Sequence, residues 1–268
     1  MGSYFEGQIV WLTGGGSGLG QEMALEFARQ GATVAVTGRR EDRLNAVVQL
    51  LEEQGARGLA VPCDVTDDAA VKAAVETVVD AFGRIDVVVA NAGFAVSGRV
   101  AELSHEEWRR QFDVNVLGLV STIRHSMPEL EKTSGRIGLV ASVASFLSPA
   151  GSGAYCASKH AVRSIGSSLS AELAGSGVSC TTIHPGYVKS EIGRVDNAGQ
   201  FQSESRDKRP ANLLWPTDKA ARVMVRAIRK RKREYVFTWH GLFGVWMSRH
   251  FPRLTFWILS RNQRLSAR

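Results

Sequence analysis

Residues 8–20 read QIVWLTGGGSGLG, and this stretch decides the fold. An apolar run of strand length ends in a cluster of glycines. A helical pattern then runs from Leu19 to Gln30 and stops at Gly31. A strand that turns sharply into a helix brings the helix's unpaired amides and positive dipole end to the turn. Gly14, Gly18 and Gly20 let the backbone turn tightly and approach a pyrophosphate, with Ser17 and Leu19 in the same contact segment. The spacing is G-x-x-x-G-x-G rather than the commoner G-x-G-x-x-G.

The pattern then repeats along the chain. ATVAVTGR, GLAVPCDV, IDVVVANAG, GRIGLVAS, VSCTTIHPG and EYVFTW read as further strands, with helical patterns between them. Strands apolar on both faces that alternate with helices predict an α/β fold: one Rossmann-type domain over 1–235, a doubly wound parallel seven-stranded sheet covered on both sides. Residues 236–268 form a C-terminal extension. The long irregular stretch 187–216 is the one loop large enough to serve as a lid.

Composition narrows the setting. The chain has 268 residues, 44% of them hydrophobic, enough for one large core. No run of 18 apolar residues predicts a spanning helix. MGSYFEGQIVW lacks the basic-then-apolar order of a secretion signal. Cys63, Cys156 and Cys180 are odd in number and far apart, which predicts buried thiols in a reducing, cytoplasmic setting and no metal site. The net charge of +7 is uneven: residues 219–268 hold thirteen Lys/Arg against Glu234 alone, and the rest is mildly acidic.

The second strand ends in TGRRED. Gly38 stands where an acid would normally meet a ribose 2′-hydroxyl, and Arg39 and Arg40 follow it. Guanidinium groups suit a 2′-phosphate, so NADP(H) is expected over NAD(H). A solvated charge pair at a helix start is the other reading. Further on, GAYCASKHA (153–161) places Tyr155 and Lys159 one helical turn apart, on one face, among small residues. A fixed ammonium favours phenolate, and open space around the pair admits a cofactor and a substrate.

TGGGSGLG, CDV, NAG, NVLG, VASVAS, YCASK and HPG occur in that order. With these motifs the chain resembles the short-chain dehydrogenase/reductase superfamily over about residues 7–235. The resemblance implies a catalytic tetrad. Tyr155 is the general acid or base, Lys159 lowers its pKa and holds the nicotinamide ribose, Ser142 hydrogen-bonds the substrate oxygen, and Asn115 breaks a helix and holds a proton-passing water. It also implies that Asp64 and Val65 contact adenine, that Asn91, Ala92 and Gly93 border the adenosine ribose, and that Pro185, Gly186, Val188 and Ser190 line the nicotinamide side. Ser190 replaces the usual threonine, and Ala90 and Ala141 are modest departures. The resemblance further implies that helices over 105–132 and 152–174 pair between subunits, in a homodimer or homotetramer.

The expected activity is NADP(H)-dependent exchange between a carbonyl and a secondary alcohol on a hydrophobic, lipid-, steroid- or retinoid-like substrate. A 3-oxoacyl thioester reductase and a catalytically silent NADPH sensor or scaffold are the alternatives. Phe94, Val96, Phe146, Leu147, Phe201 and Trp215 are candidate apolar walls. In the extension, aromatics alternate with Arg249, Arg253 and Arg261, and Pro252 divides it into two short segments. That pattern suits either peripheral contact with a membrane surface or packing on the domain or a dimer mate, with nucleic acid ranked last.

Overall fold

The computed structural model describes residues 3–202, 204 and 209–266. Seven strands form one sheet: β1 (Ile9–Thr13), β2 (Thr33–Gly38), β3 (Gly58–Pro62), β4 (Val87–Ala90), β5 (Arg136–Val140), β6 (Ser179–His184) and β7 (Glu234–Val236). Their order is β3-β2-β1-β4-β5-β6-β7, and every pairing is parallel. Side chains alternate along each strand. Val10 and Leu12 therefore enter one core layer while Ile9 and Trp11 enter the other.

The first layer is built with α1 (Gly18–Arg29), α2 (Glu41–Glu53) and a later helix, α7 (Thr217–Arg229). The second uses α3 (Asp68–Phe82), α5 (Gly118–Thr133) and α6 (Gly153–Glu172). The remaining helices are α4 (His105–Phe112), α8 (Trp239–His250) and α9 (Pro252–Ser266). All three cysteines are free and buried, and burial pushes each thiol up to about 11.

Two elements bear on the site. The helix over 105–132 is interrupted around Asn115, where the resemblance implied a break: α4 and α5 are joined by a π-helical turn, Asp113–Leu117. The extension is a pair of helices, and α8 turns its small residues inward. A Cβ on Gly244 would stand 2.8 Å from the Leu147 side chain, and one on Gly241 would stand 2.7 Å from Val143. Among the described residues no helix is long and apolar enough to cross a membrane.

Because β1 has β2 on one side and β4 on the other, the order in which strands are added reverses there and a crevice opens at the strands' C-terminal ends. The expected site residues follow the ends of β1, β2, β3, β4, β5 and β6.

Candidate active site

At the end of β1, Gly14 has a φ of 67° and Gly18 a φ of 54°, conformations that favour glycine. A Cβ on Gly14 would lie 2.8 Å from Ala92 Cα, and one on Gly20 would collide with the Gly14 carbonyl. Ser17 is the N-cap of α1 in extended backbone, and Leu19 packs against the first core layer. Asn91 holds this loop from the next strand. Its amide Nδ2 donates to the Thr13 carbonyl at 3.0 Å and to the Gly14 carbonyl at 3.1 Å. Thr13 Oγ1 in turn accepts from the Asn91 and Ala92 amides at 3.1 and 3.2 Å. A cradle of bare backbone at a helix N-terminus fits a dinucleotide pyrophosphate.

Asp64 follows β3, where its Oδ1 accepts from the Thr66 amide at 3.0 Å and the Thr66 hydroxyl at 2.8 Å. Val65 is buried against Gly118. Arg39 and Arg40 follow β2 and both reach the 187–216 loop. Arg39 donates to the Gly199 carbonyl at 3.0 Å. Arg40 pairs with Glu191 at 3.3 Å and donates to Ser17 Oγ at 3.4 Å. The loop's other anchor is Asn197. It accepts from the Ser97 amide at 2.9 Å, donates to the Ser97 carbonyl at 2.9 Å, and donates to Glu107 at 2.6 Å. Residues 203 and 205–208 of the loop lie outside the described residues.

The wall that carries Asn115, Ser142, Tyr155 and Lys159 is formed by the π turn, the end of β5 and α6. Asn115 is buried; its Oδ1 accepts from the Phe94 amide at 3.1 Å, and its Nδ2 donates to the Phe94 carbonyl at 3.0 Å and to Ser158 Oγ at 3.1 Å. Ser158 Oγ donates to the Tyr155 carbonyl at 2.7 Å. The π bulge is thereby fixed from both sides, and it ties the β4 loop to the turn of α6 that carries Tyr155. Lys159 is buried, and its Nζ donates to the Val140 carbonyl at 2.8 Å. Burial lowers its pKa to about 8. Its Nζ stands 5.9 Å from the Tyr155 ring centre.

Burial pushes the Tyr155 phenol up; a hydrogen bond with Ser142 works against that, and the Arg209 guanidinium also favours the phenolate. Ser142 is buried beside the Pro185 carbonyl. In the neutral range the ammonium stays charged and the phenol stays protonated, so the pair is set to give a proton.

The opposite wall follows β6. A Cβ on Gly186 would collide with Thr238 and His240 of the extension. The Tyr187 amide donates to His240 Nε2 at 2.9 Å, and the two rings stack at 5.5 Å. Arg209 donates to the Val188 carbonyl at 2.8 Å, to the Ser190 carbonyl at 2.9 Å and to Ser190 Oγ at 3.3 Å. Arg209, Glu191, Asn197, Ser158 and His240 contact the candidate site residues or the loop over them and were not singled out in the sequence. Of these, Ser158 alone lay inside a quoted motif, YCASK.

Of the candidate apolar walls, Phe94 and Val96 are buried with Ala154 in a small cluster of their own, against which the half-buried Val195 packs. Trp215 packs edge-on against Phe237, in contact with the main core, at a ring separation of 5.6 Å. Phe146 is edge-on to His184, with Arg163 stacked 4.1 Å from its ring centre.

The short chain dehydrogenase family model matches residues 8–200, from β1 through α6 and into the loop. The chain belongs to the short-chain dehydrogenase family. Curated relatives include dehydrogenase/reductase SDR family member 7 of Mus musculus, 29% identical over 93% of this chain and 76% of that protein. A 3beta-hydroxysteroid dehydrogenase of Mediterraneibacter gnavus is 36% identical over 68% of this chain and 66% of that one. Among solved structures, a family member from Burkholderia phymatum in complex with NAD is 29% identical, with a TM-score of 0.83 over 94% of this chain and 96% of that chain. An alcohol dehydrogenase from Thermococcus sibiricus, complexed with 5-hydroxy-NADP, is 27% identical with a TM-score of 0.75, covering 86% of this chain and 95% of that one. As a family member the chain is an oxidoreductase with a small-molecule substrate.

Proposed function

We propose that this chain is an NADP(H)-dependent carbonyl reductase or alcohol dehydrogenase acting on a hydrophobic, lipid-, steroid- or retinoid-like substrate, as a homodimer or homotetramer. The observation that carries the reading is the Ser142–Tyr155–Lys159 wall, where a buried ammonium lies one helical turn from the Tyr155 phenol, its Nζ 5.9 Å from the phenol's ring centre. The glycine cradle with Asn91, Asp64 and Val65 would hold the dinucleotide's adenosine and pyrophosphate. Ser190, Val188, Gly186 and Pro185 would face the nicotinamide. When bound, the reduced ring supplies the hydride that a carbonyl carbon takes up.

The chain's own residues do the rest. Ser142 orients the carbonyl oxygen. Tyr155 gives that oxygen its proton as the carbon is reduced, so the C=O becomes CH–OH. Lys159 replaces the proton on Tyr155 and holds the ribose edge. Asn115 keeps the π turn open beside Gly93, where a Cβ would stand 3.0 Å from the Asn115 oxygen and 3.7 Å from Lys159 Nζ. Arg39 and Arg40 supply positive charge where a 2′-phosphate would lie.

The test is NADPH oxidation over aliphatic, steroid, retinoid and acyl-thioester carbonyls. Turnover on at least one class is expected, and Tyr155→Phe should cut kcat by about a thousandfold with dinucleotide affinity nearly unchanged. Arg39→Ala should lower the preference for NADPH over NADH. Silence across the panel with tight NADPH binding would overturn the enzymatic reading.

A further inference from the structure

The helices after β7 invert the usual rule for a surface helix. Trp239, Leu242, Phe243 and Trp246 recur at i, i+3, i+4 and i+7, the spacing of a stripe meant for a core. Yet Trp239 is 61% and Phe243 59% exposed, while Gly241 and Val245 face the domain. The surface continues without a break, because Trp246 stacks on Phe243 at 6.2 Å and meets Phe251 at 5.4 Å. On α9, Leu254, Trp257 and Ile258 are exposed at the same spacing, and Phe256 reaches 73%. An apolar surface this continuous marks an interaction face.

The charge around it says what covers it. From Phe237 to Arg268 there are five arginines and no Asp or Glu. Arg261 lies 4.3 Å over the Trp257 ring, and Arg253 is exposed at the start of α9. Arg249 is partly answered by Glu234 at 3.9 Å. A second copy docked on this face would set arginine against arginine. An anionic bilayer instead offers phosphates to the guanidinium groups and an interfacial layer for tryptophan and phenylalanine.

We propose that α8 and α9 form a peripheral docking surface for anionic phospholipid membranes, lying in the interface with the aromatic face down. The inner side of the same hairpin is a wall of the crevice, through His240 on Tyr187 and Gly244 on Leu147. The docked face therefore borders the substrate entrance. An apolar carbonyl dissolved in the bilayer reaches Tyr155 without crossing water. That last consequence rests on the proposed carbonyl chemistry, whereas the docking does not.

The test is flotation of the full-length protein with vesicles of phosphatidylcholine alone, and of phosphatidylcholine with phosphatidylserine, at low and high salt. Binding to the phosphatidylserine vesicles that weakens with salt is expected. Arg253→Gln with Arg261→Gln should lower that partitioning about thirtyfold. Trp239→Ser with Phe243→Ser and Trp246→Ser should lower it more than about a hundredfold. Should the aromatic variant fail to fold by circular dichroism, the arginine pair carries the test alone. No flotation of the parent protein on phosphatidylserine vesicles at low salt overturns the proposal. So does equal flotation of parent and folded variants. Loss of a homo-oligomer in the folded aromatic variant without lipid would assign the face to a second copy and overturn it too. Flotation is read without turnover, so failure of the carbonyl panel and failure of docking are separate results.

Discussion

Tyr155 and Lys159 show how burial divides labour between two neighbouring groups. Desolvation disfavours charge in both, yet it acts in opposite directions on their pKa values. The phenol rises, while the ammonium falls to about 8. Lys159 is thus charged below about pH 8 and loses its proton as the pH rises through that value. In the reductive direction the wall must donate, so kcat/KM for carbonyl reduction should fall above about pH 8. Oxidation of the alcohol needs a base and should rise over the same interval. Paired pH–rate profiles check this, and Lys159→Met should remove the inflection near 8.

The small residues around the pair were legible as a pattern, and their role was only partly so. Ala154, Cys156 and Ser158 are buried, so they let α6 close on the π turn and its neighbours as much as they keep space for ligands.

At the scale of elements, the seven strands and the two-sided cover could be read because parallel strands buried on both faces leave continuous apolar runs. The break at Asn115 was legible through its motif. The orientation of α8 was not, since periodicity gives a stripe and never says which neighbour it faces. The loop's anchors were equally hidden. Glu191 and Gly199 are brought to Arg40 and Arg39 across more than half the chain's length. That contact means the arginines proposed to meet a 2′-phosphate are also held by the loop. Glu191→Gln should release Arg40 and tighten NADPH by about two- to fivefold, the worth of a half-exposed ion pair, with NADH unchanged. Fluorescence titration with both dinucleotides reads the difference.

For the molecule as a whole, the buried seam between β6 and β7 sets the acid limit. His184 has no exposed surface; burial lowers its pKa to about 4, the Ser142 carbonyl at 3.1 Å and Glu234 opposing that fall. The unfolded chain takes up a proton at the ordinary 6.5, so neutral His184 contributes stability above that value and loses it as the pH falls toward 4. The loss is on the order of 3 kcal/mol. Urea unfolding at successive pH values should show it, and His184→Gln should flatten the decline between 6.5 and 4.

The parallel ladder also governs how the chain is made. Ile9 pairs with Thr33, but Val10 must wait for Val87 before its second neighbour exists. No strand can zip to the next through a hairpin, because every connection is a crossover. During synthesis β1 therefore leaves the ribosome long before its central place in the sheet can be filled. Its edge stays open in the meantime, so the sheet should close more slowly than one built from hairpins.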